Sequence, residues 1–242
     1  MPDKSSLPIY EAYVVNSNDL LRASQTIKRA INRALKEGKK DIVRVQTKVY
    51  ALIYSMYTEA AFMKLVFTPY GFHQNEIAVI LKQRNFEDQW KKALQLAFRK
   101  QKTRNKLKRE QYQKSNDINK IIEQYVNDPR IIRNKIAHGQ WKKVLNRDLD
   151  KINNILTETV TDLTVVDVFR WFTVIKYLQL IMQDLIDSPD KGHYNNYFKH
   201  LQELETFLVT SSKWTVESKL RTQSMLKPVA SNAMIQVQHI PD

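Results

Sequence analysis

The residues best suited to do chemistry together are Arg133, Asn134 and His138, in which the arginine and the histidine enclose four residues. Histidine titrates near neutral pH, so it can accept or donate a proton under physiological conditions. The planar guanidinium group of arginine fits phosphate oxygens and stabilises charge on a phosphorane-like transition state. RNA carries its own nucleophile, the 2′-hydroxyl group. These residues therefore have the chemistry to cleave RNA without a metal ion.

The spacing of the three residues limits how they can cooperate. On a helix, Asn134 lies four residues before His138 and on the same face, where it can orient the imidazole or a phosphate. Arg133 lies five residues before His138, about 140° away around a straight helix. One helix presents this pair poorly, which favours a dimer. The alternative is that neither residue is catalytic: His138, beside Gly139, would interact only with the helix dipole, and Arg133 would be a solvated surface residue.

Residues 131–141, IIRNKIAHGQW, resemble the Rx4-6H motif of the HEPN superfamily, in the form with asparagine behind the arginine and Ala-His-Gly at the end. A bare Arg-x4-His pair occurs by chance in many proteins, so its context matters. Asp128 and Pro129 are typical of a helix start, with a capping carboxylate followed by proline. A long amphipathic helix also precedes the motif. The resemblance covers about residues 43–186.

The resemblance implies a helical bundle that acts as a homodimer with a composite active site. It also implies a metal-independent endoribonuclease that needs no cofactor, with His138 as general acid or base, Arg133 as phosphate stabiliser and Asn134 as a positioning residue. A role as a toxin or anti-phage defence effector follows from the resemblance alone. Gln140 stands where toxins modified by a nucleotidyltransferase carry tyrosine, which argues against that route of regulation. An antitoxin or another regulatory partner remains open.

Glu59 is a further candidate for the catalytic site. It falls between Met56 and Met63 on an apolar helical stripe, which is an unusual position for a carboxylate. HEPN helices often carry a polar or acidic residue in this region, where it would orient the catalytic arginine or histidine. A structural ion pair with a neighbouring basic residue is an equal alternative, because a buried charge needs a partner.

The positive charge is concentrated in the first half of the chain. The net charge is +14 overall, and residues 99–114, RKQKTRNKLKREQYQK, carry eight basic residues and one acid. A basic surface of this kind favours a polyanionic partner, nucleic acid above all. The predicted RNA-binding residues, which would track a phosphate backbone, are Lys102, Arg104, Lys106, Lys108 and Arg109. The alternative is a solvated charged surface.

Composition excludes several classes of protein. The chain has no cysteine, which removes disulfide frameworks, thiolate metal sites and thiol nucleophiles. Its four glycines are scattered, so it has no phosphate-cradling loop, and it has no HExxH motif. We expect no metal site. The most apolar stretch, residues 165–186, contains four charged residues and is not a membrane span. A cytoplasmic protein without a membrane partner fits these features.

The apolar spacing predicts an all-α, HEPN-like bundle of about six to eight helices, with helical extensions at both ends. Residues 1–208 form a single domain, and residues 209–242 are predicted to be a loosely ordered tail. Helices are predicted at about 17–36, 41–68, 75–82, 86–101, 117–126, 129–138, 165–187 and 193–208, with a turn or short hairpin before a helix start within 144–160. The main functional alternative is a non-catalytic helical module that binds nucleic acid or protein.

Overall fold

The computed structural model describes residues 6–101 and 108–225, and they form an all-α bundle, which confirms the predicted fold class. Within these ranges there is no strand, only an isolated antiparallel bridge between Leu145 and Ile152. The helices are α1 (Leu7–Lys36), α2 (Lys40–Val66), α3 (Gln74–Leu81), α4 (Phe86–Arg99), α5 (Lys108–Ile122), α6 (Asp128–Ala137), α7 (Asn154–Thr161), α8 (Val165–Asp187), α9 (Gly192–Ser212) and α10 (Val216–Met225).

The centre of the bundle is formed by α2 and α8. Three tyrosines of α2 surround Phe172 of α8, with ring centroids 5.0 Å (Tyr50), 5.1 Å (Tyr54) and 5.6 Å (Tyr57) away. The first half of α1 packs back along α2, and Tyr13 stacks on Phe67 at 6.3 Å. Since aromatic pairs bury large areas in a defined geometry, they fix how these helices face one another.

Helix α1 begins ten residues earlier than the sequence pattern predicts. The serine before it makes no side-chain cap, and Pro8 lies in the first turn, where its missing N–H costs nothing. The end of α1 is as predicted, because Gly38 adopts a left-handed conformation, with φ 67°. The next amide, of Lys39, donates to the carbonyl of Ala34 at 2.9 Å.

The helix predicted at about 129–138 is confirmed as α6, but Asp128 does not cap a free helix end. Asp128 has helical backbone angles, and α5 continues into α6 through a single π-helical turn, Glu123–Asn127. Pro129 has no N–H to donate to the carbonyl of Tyr125, four residues before it. The hydroxyl group of Tyr54 donates to that carbonyl instead, which ties this continuous helix to α2.

The C-terminal region is helical further than predicted. Helix α9 runs past residue 209 to Ser212, and α10 follows from Val216 to Met225. The Arg170 side chain of α8 holds the end of α9, donating to the Ser211 carbonyl at 2.6 Å and to its hydroxyl at 3.2 Å. Sequence periodicity cannot report such a tertiary contact. The remainder of the predicted tail, 226–242, lies outside the described residues. No helix in the described ranges is both long and apolar enough to cross a bilayer.

Candidate active site

Arg133 lies on the face of α6 that packs against α2, and each nitrogen of its guanidinium group donates a hydrogen bond. Nε donates to the hydroxyl of Ser55 at 3.1 Å, and Nη2 to the carboxylate of Glu59 at 2.6 Å. Nη1 donates to the side-chain oxygen of Asn134 at 3.1 Å. Ser55 and Glu59 are one helical turn apart, so they lie on the same face of α2. We call these four residues the Arg133 cluster.

The Arg133 cluster is only partly buried. The side chain of Arg133 is 29% exposed and that of Glu59 is 46% exposed. Solvent therefore screens the ion pair, which limits what it adds to stability. Three acceptors on two helices nevertheless hold the guanidinium plane in one orientation while part of it faces solvent.

Glu59 also borders an open groove between α1, α2 and α4. The groove has a volume of about 610 Å³, and Met56 and Met63 of α2 line it together with Tyr13 and Leu20 of α1. The two predictions for Glu59, a positioning carboxylate and a structural ion pair, both require a basic partner. That partner is Arg133, and its presence is compatible with either role.

His138 stands apart from the Arg133 cluster. It is the residue that ends α6, it is exposed, and its backbone amide donates to the carbonyl of Asn134 at 3.1 Å. Its imidazole makes no hydrogen bond or ion pair within the part of the chain that the structure describes. Asn134 shares a helical face with His138, as predicted, yet its side-chain oxygen accepts from Arg133. Within one chain, Asn134 therefore orients the arginine.

The segment after His138 folds back onto α6 and fixes its end. Gly139 has a positive φ of 75°, which reverses the chain. The indole N–H of Trp141 donates to the Ile136 carbonyl at 2.8 Å, and Lys135 donates to the Leu145 carbonyl at 2.8 Å. The side-chain oxygen of Gln140 accepts from the Leu145 amide at 2.9 Å. These contacts hold the segment after α6 in place, and His138 is exposed at the junction.

Sequence reasoning did not identify Ser55, although one signal was available. Ser55 precedes Glu59 by four residues in a helix whose neighbouring positions are mostly buried and apolar. Two polar residues at that interval share a face, so a polar partner from another helix was to be expected.

The predicted RNA-binding residues are only partly visible. Lys102, Arg104 and Lys106 lie outside the described residues, as does the side chain of Lys108, while Arg109 is exposed. The flanks of the segment are held: the Gln101 amide donates to the Pro189 carbonyl at 2.9 Å, and the Gln111 amide to Gln101 at 2.6 Å. Gln101 and Gln111, on either side of the residues outside the described ranges, are therefore linked to each other, and Gln101 is linked to the segment before α9.

The basic segment and His138 lie at opposite ends of the continuous helix made by α5, the π turn and α6. This run of about 30 residues spans roughly 45 Å at 1.5 Å per residue. Arg109, at the start of α5, therefore lies far from the Arg133 cluster of the same chain. This distance was not predictable, because Asp128 and Pro129 were expected to begin a separate helix.

Within α6, the pKa of Asp128 is shifted. Burial raises the pKa of its carboxyl group, and the charges of Glu123 and Glu87 raise it further. Among the described residues, no group of three or more histidine, aspartate or glutamate side chains is arranged to hold a metal ion. No protein-family model matches the chain, and neither curated proteins nor solved structures gave a match.

Proposed function

We propose that the protein is a metal-independent endoribonuclease of the HEPN type that acts as a homodimer. One observation carries the proposal: a guanidinium group oriented by three acceptors and an exposed imidazole lie five residues apart on one short helix. Catalysis by charge stabilisation depends on groups that are already oriented before the reaction begins. Arg133 meets that condition better than a solvated surface arginine does.

In the proposed reaction, the 2′-hydroxyl attacks the adjacent phosphorus and the bond from phosphorus to the 5′-oxygen breaks. A base removes the hydroxyl proton, an acid protonates the leaving 5′-oxygen, and the products are a 2′,3′-cyclic phosphate and a 5′-hydroxyl end. His138 acts as this acid or base. Arg133 stabilises the charge that develops on the phosphoryl oxygens.

A dimer accounts for the separation of the two groups within one chain. Arg133 faces α2, whereas His138 projects beyond the end of α6. A second copy across a two-fold axis supplies another arginine and histidine, so that a phosphate meets both. The basic segment adjoins the opposite end of the continuous helix. In this proposal it therefore guides RNA at a distance from the cleavage point. A role as a toxin or defence effector rests on the motif resemblance.

The second candidate is a non-catalytic helical module that binds nucleic acid or protein. The same cluster favours it in one respect, because every guanidinium nitrogen already donates to a protein atom. In this role Arg133 ties α6 to α2, and the basic segment does the binding. Neutralising residues 102–109 would then weaken binding and flatten its salt dependence, whereas Arg133 and His138 substitutions would leave binding unchanged.

The test incubates total RNA and purified tRNA with the protein in EDTA and analyses the ends of the products. We expect cleavage by the wild type with cyclic phosphate ends, and cleavage slower by about 100-fold or more with Arg133→Ala. Lys142→Ala is the matched control, since Lys142 is an exposed basic residue near the end of α6. Absence of cleavage by a folded wild-type dimer, with salt-dependent RNA binding intact, would favour the binding module.

A further inference from the structure

A second site lies away from the Arg133 cluster, where the two terminal extensions meet the bundle. A pocket of about 350 Å³ opens between α1, α8 and the segment that leads into α10. Lys28 and Asn32 line it from α1, Phe169 from α8, and Trp214 and Lys219 from the C-terminal segment. Its volume falls in the range of about 300–1,000 Å³ typical of small-molecule sites.

Among the described residues that line the pocket, two are positively charged and none is negatively charged. The ammonium groups of Lys28 and Lys219 lie 5.1 Å and 5.5 Å from the ring centroid of Phe169. Neither forms an ion pair with any residue in the described ranges. Burial, and secondarily the charge of Lys28, lowers the pKa of Lys219 to about 8. A bound anion removes this repulsion, so the pocket favours a negatively charged ligand.

The pocket also contains an aromatic wall. Trp214 packs on Phe169 at 6.2 Å, and Phe207 meets it edge-on at 5.7 Å. Trp214 is nevertheless 39% exposed as a residue, so it is accessible to a planar ligand. The hydrogen bonds from Arg170 to Ser211 fix the end of α9 just before this tryptophan.

Asn32 of α1 provides a further polar side chain that lines the pocket. Its side-chain oxygen is buried and has no hydrogen-bond partner among the described residues. No hydrogen bond from the described residues to this oxygen therefore fixes which way the amide points. An amide can donate and accept, so by rotating it can pair with the edge of a base.

We propose that this pocket binds a nucleoside phosphate, with the base against Trp214 and the phosphate between Lys28 and Lys219. An inorganic anion would contact only the two lysines, and an apolar ligand would contact only the rings of Phe169 and Trp214. The combination within one pocket fits a ligand that is planar at one end and anionic at the other. The nucleotide is either free or an unpaired nucleotide of a single strand. This binding does not depend on RNA cleavage.

The test measures binding of AMP by calorimetry, and of a short 2′-O-methyl RNA by fluorescence anisotropy. The methylated oligonucleotide cannot be cleaved through its 2′-oxygen, so nuclease activity does not affect the result. We expect Lys219→Gln and Trp214→Leu each to weaken binding about tenfold or more, and the exposed neighbour Lys213→Gln to leave it unchanged. Circular dichroism confirms that each variant is folded, and Lys219→Gln removes the charge with little loss of packing.

The ligands separate the possible outcomes. Dependence of AMP binding on the pocket residues identifies a free nucleotide site, and dependence of the oligonucleotide alone identifies a subsite for a strand. Pyrophosphate binding as tightly as AMP would overturn the assignment of the aromatic wall. Binding of neither nucleotide ligand, or binding that no pocket variant changes, would overturn the proposal.

Discussion

Around Arg133, three acceptors from two helices receive the N–H groups of one guanidinium, whereas the pocket between α1, α8 and α10 holds two ammonium groups without a neighbouring carboxylate among the described residues. Both regions contain partly buried positive charge. The paired arginine gains a fixed orientation, which suits a group that must stabilise a transition state. The unpaired lysines gain no such contact and carry a cost that a ligand anion relieves.

The comparison predicts the largest effect at Arg133. Arg133→Ala should lower the rate of RNA cleavage by about 100- to 1,000-fold, because an oriented charge is lost. It should also lower the free energy of unfolding by about 1–2 kcal/mol, since Ser55 and Glu59 lose their partner. Cleavage rates and urea unfolding measure the two effects. Arg133→Lys keeps the charge but not the three-way contact, so full activity in that variant would contradict the role of orientation.

The pH dependence of stability should depend on His193, a buried histidine that lies outside both of these regions. His193 of α9 is fully buried beside Phe98 and Tyr197, and burial, with the charge of Lys114, lowers its pKa to about 4. The unfolded chain binds a proton near pH 6.5, so stability falls as the pH drops from 6.5 through 4. The loss should reach roughly 3 kcal/mol.

His193→Gln removes this titrating group. The free energy of unfolding of the variant should therefore change less than that of the wild type across the same pH range. Urea unfolding at several pH values measures the difference. Parallel pH profiles for the two proteins would show that His193 does not titrate as described.

Glu59→Gln separates the two roles that the sequence left open. Because the pair is partly exposed, the free energy of unfolding should fall by less than about 1 kcal/mol. If Glu59 positions Arg133 for chemistry, kcat should fall about tenfold with little change in KM. An unchanged kcat together with the same small loss of stability would identify a structural ion pair.

The smallest effect is expected at Lys28, and it should have the opposite sign. Lys28→Gln removes the neighbouring charge, so the pKa of Lys219 should rise toward its ordinary value. The free energy of unfolding should rise by a few tenths of a kcal/mol, in contrast to the loss at Arg133. Chemical denaturation and NMR titration of the lysine side chain measure both. A marked loss of stability would show that Lys28 has a structural role.

Much of the bundle follows from local sequence patterns. The apolar stripes of α2 and α8, the glycine after α1 and the Ser-Pro step after α8 are local signals, and the helices begin or end close to the predicted positions. The start of α1 and the whole of α10 are accompanied by tertiary contacts, such as Tyr13 with Phe67 and Lys219 with Phe169. Those contacts have no signature in periodicity.

Three residues of the Arg133 cluster were predicted from the sequence, but Ser55 and the geometry of the cluster were not. Arg133, Asn134 and Glu59 were expected near one another, and they meet as a hydrogen-bonded cluster. The continuation of α5 into α6 was not predicted, since Asp128 and Pro129 have the pattern of a helix start. The hydroxyl of Tyr54 compensates for the proline from another helix, a contact that a local pattern does not contain.

The most direct test measures cleavage of tRNA in EDTA by the wild type and by His138→Ala. Urea unfolding first shows that the two proteins have the same free energy of unfolding. His138 is exposed at the end of α6 and makes no side-chain bond within the described ranges, so the substitution should leave stability unchanged. The account predicts cleavage by the wild type and by Lys142→Ala, and none by His138→Ala. Equal cleavage by the His138 variant would contradict it.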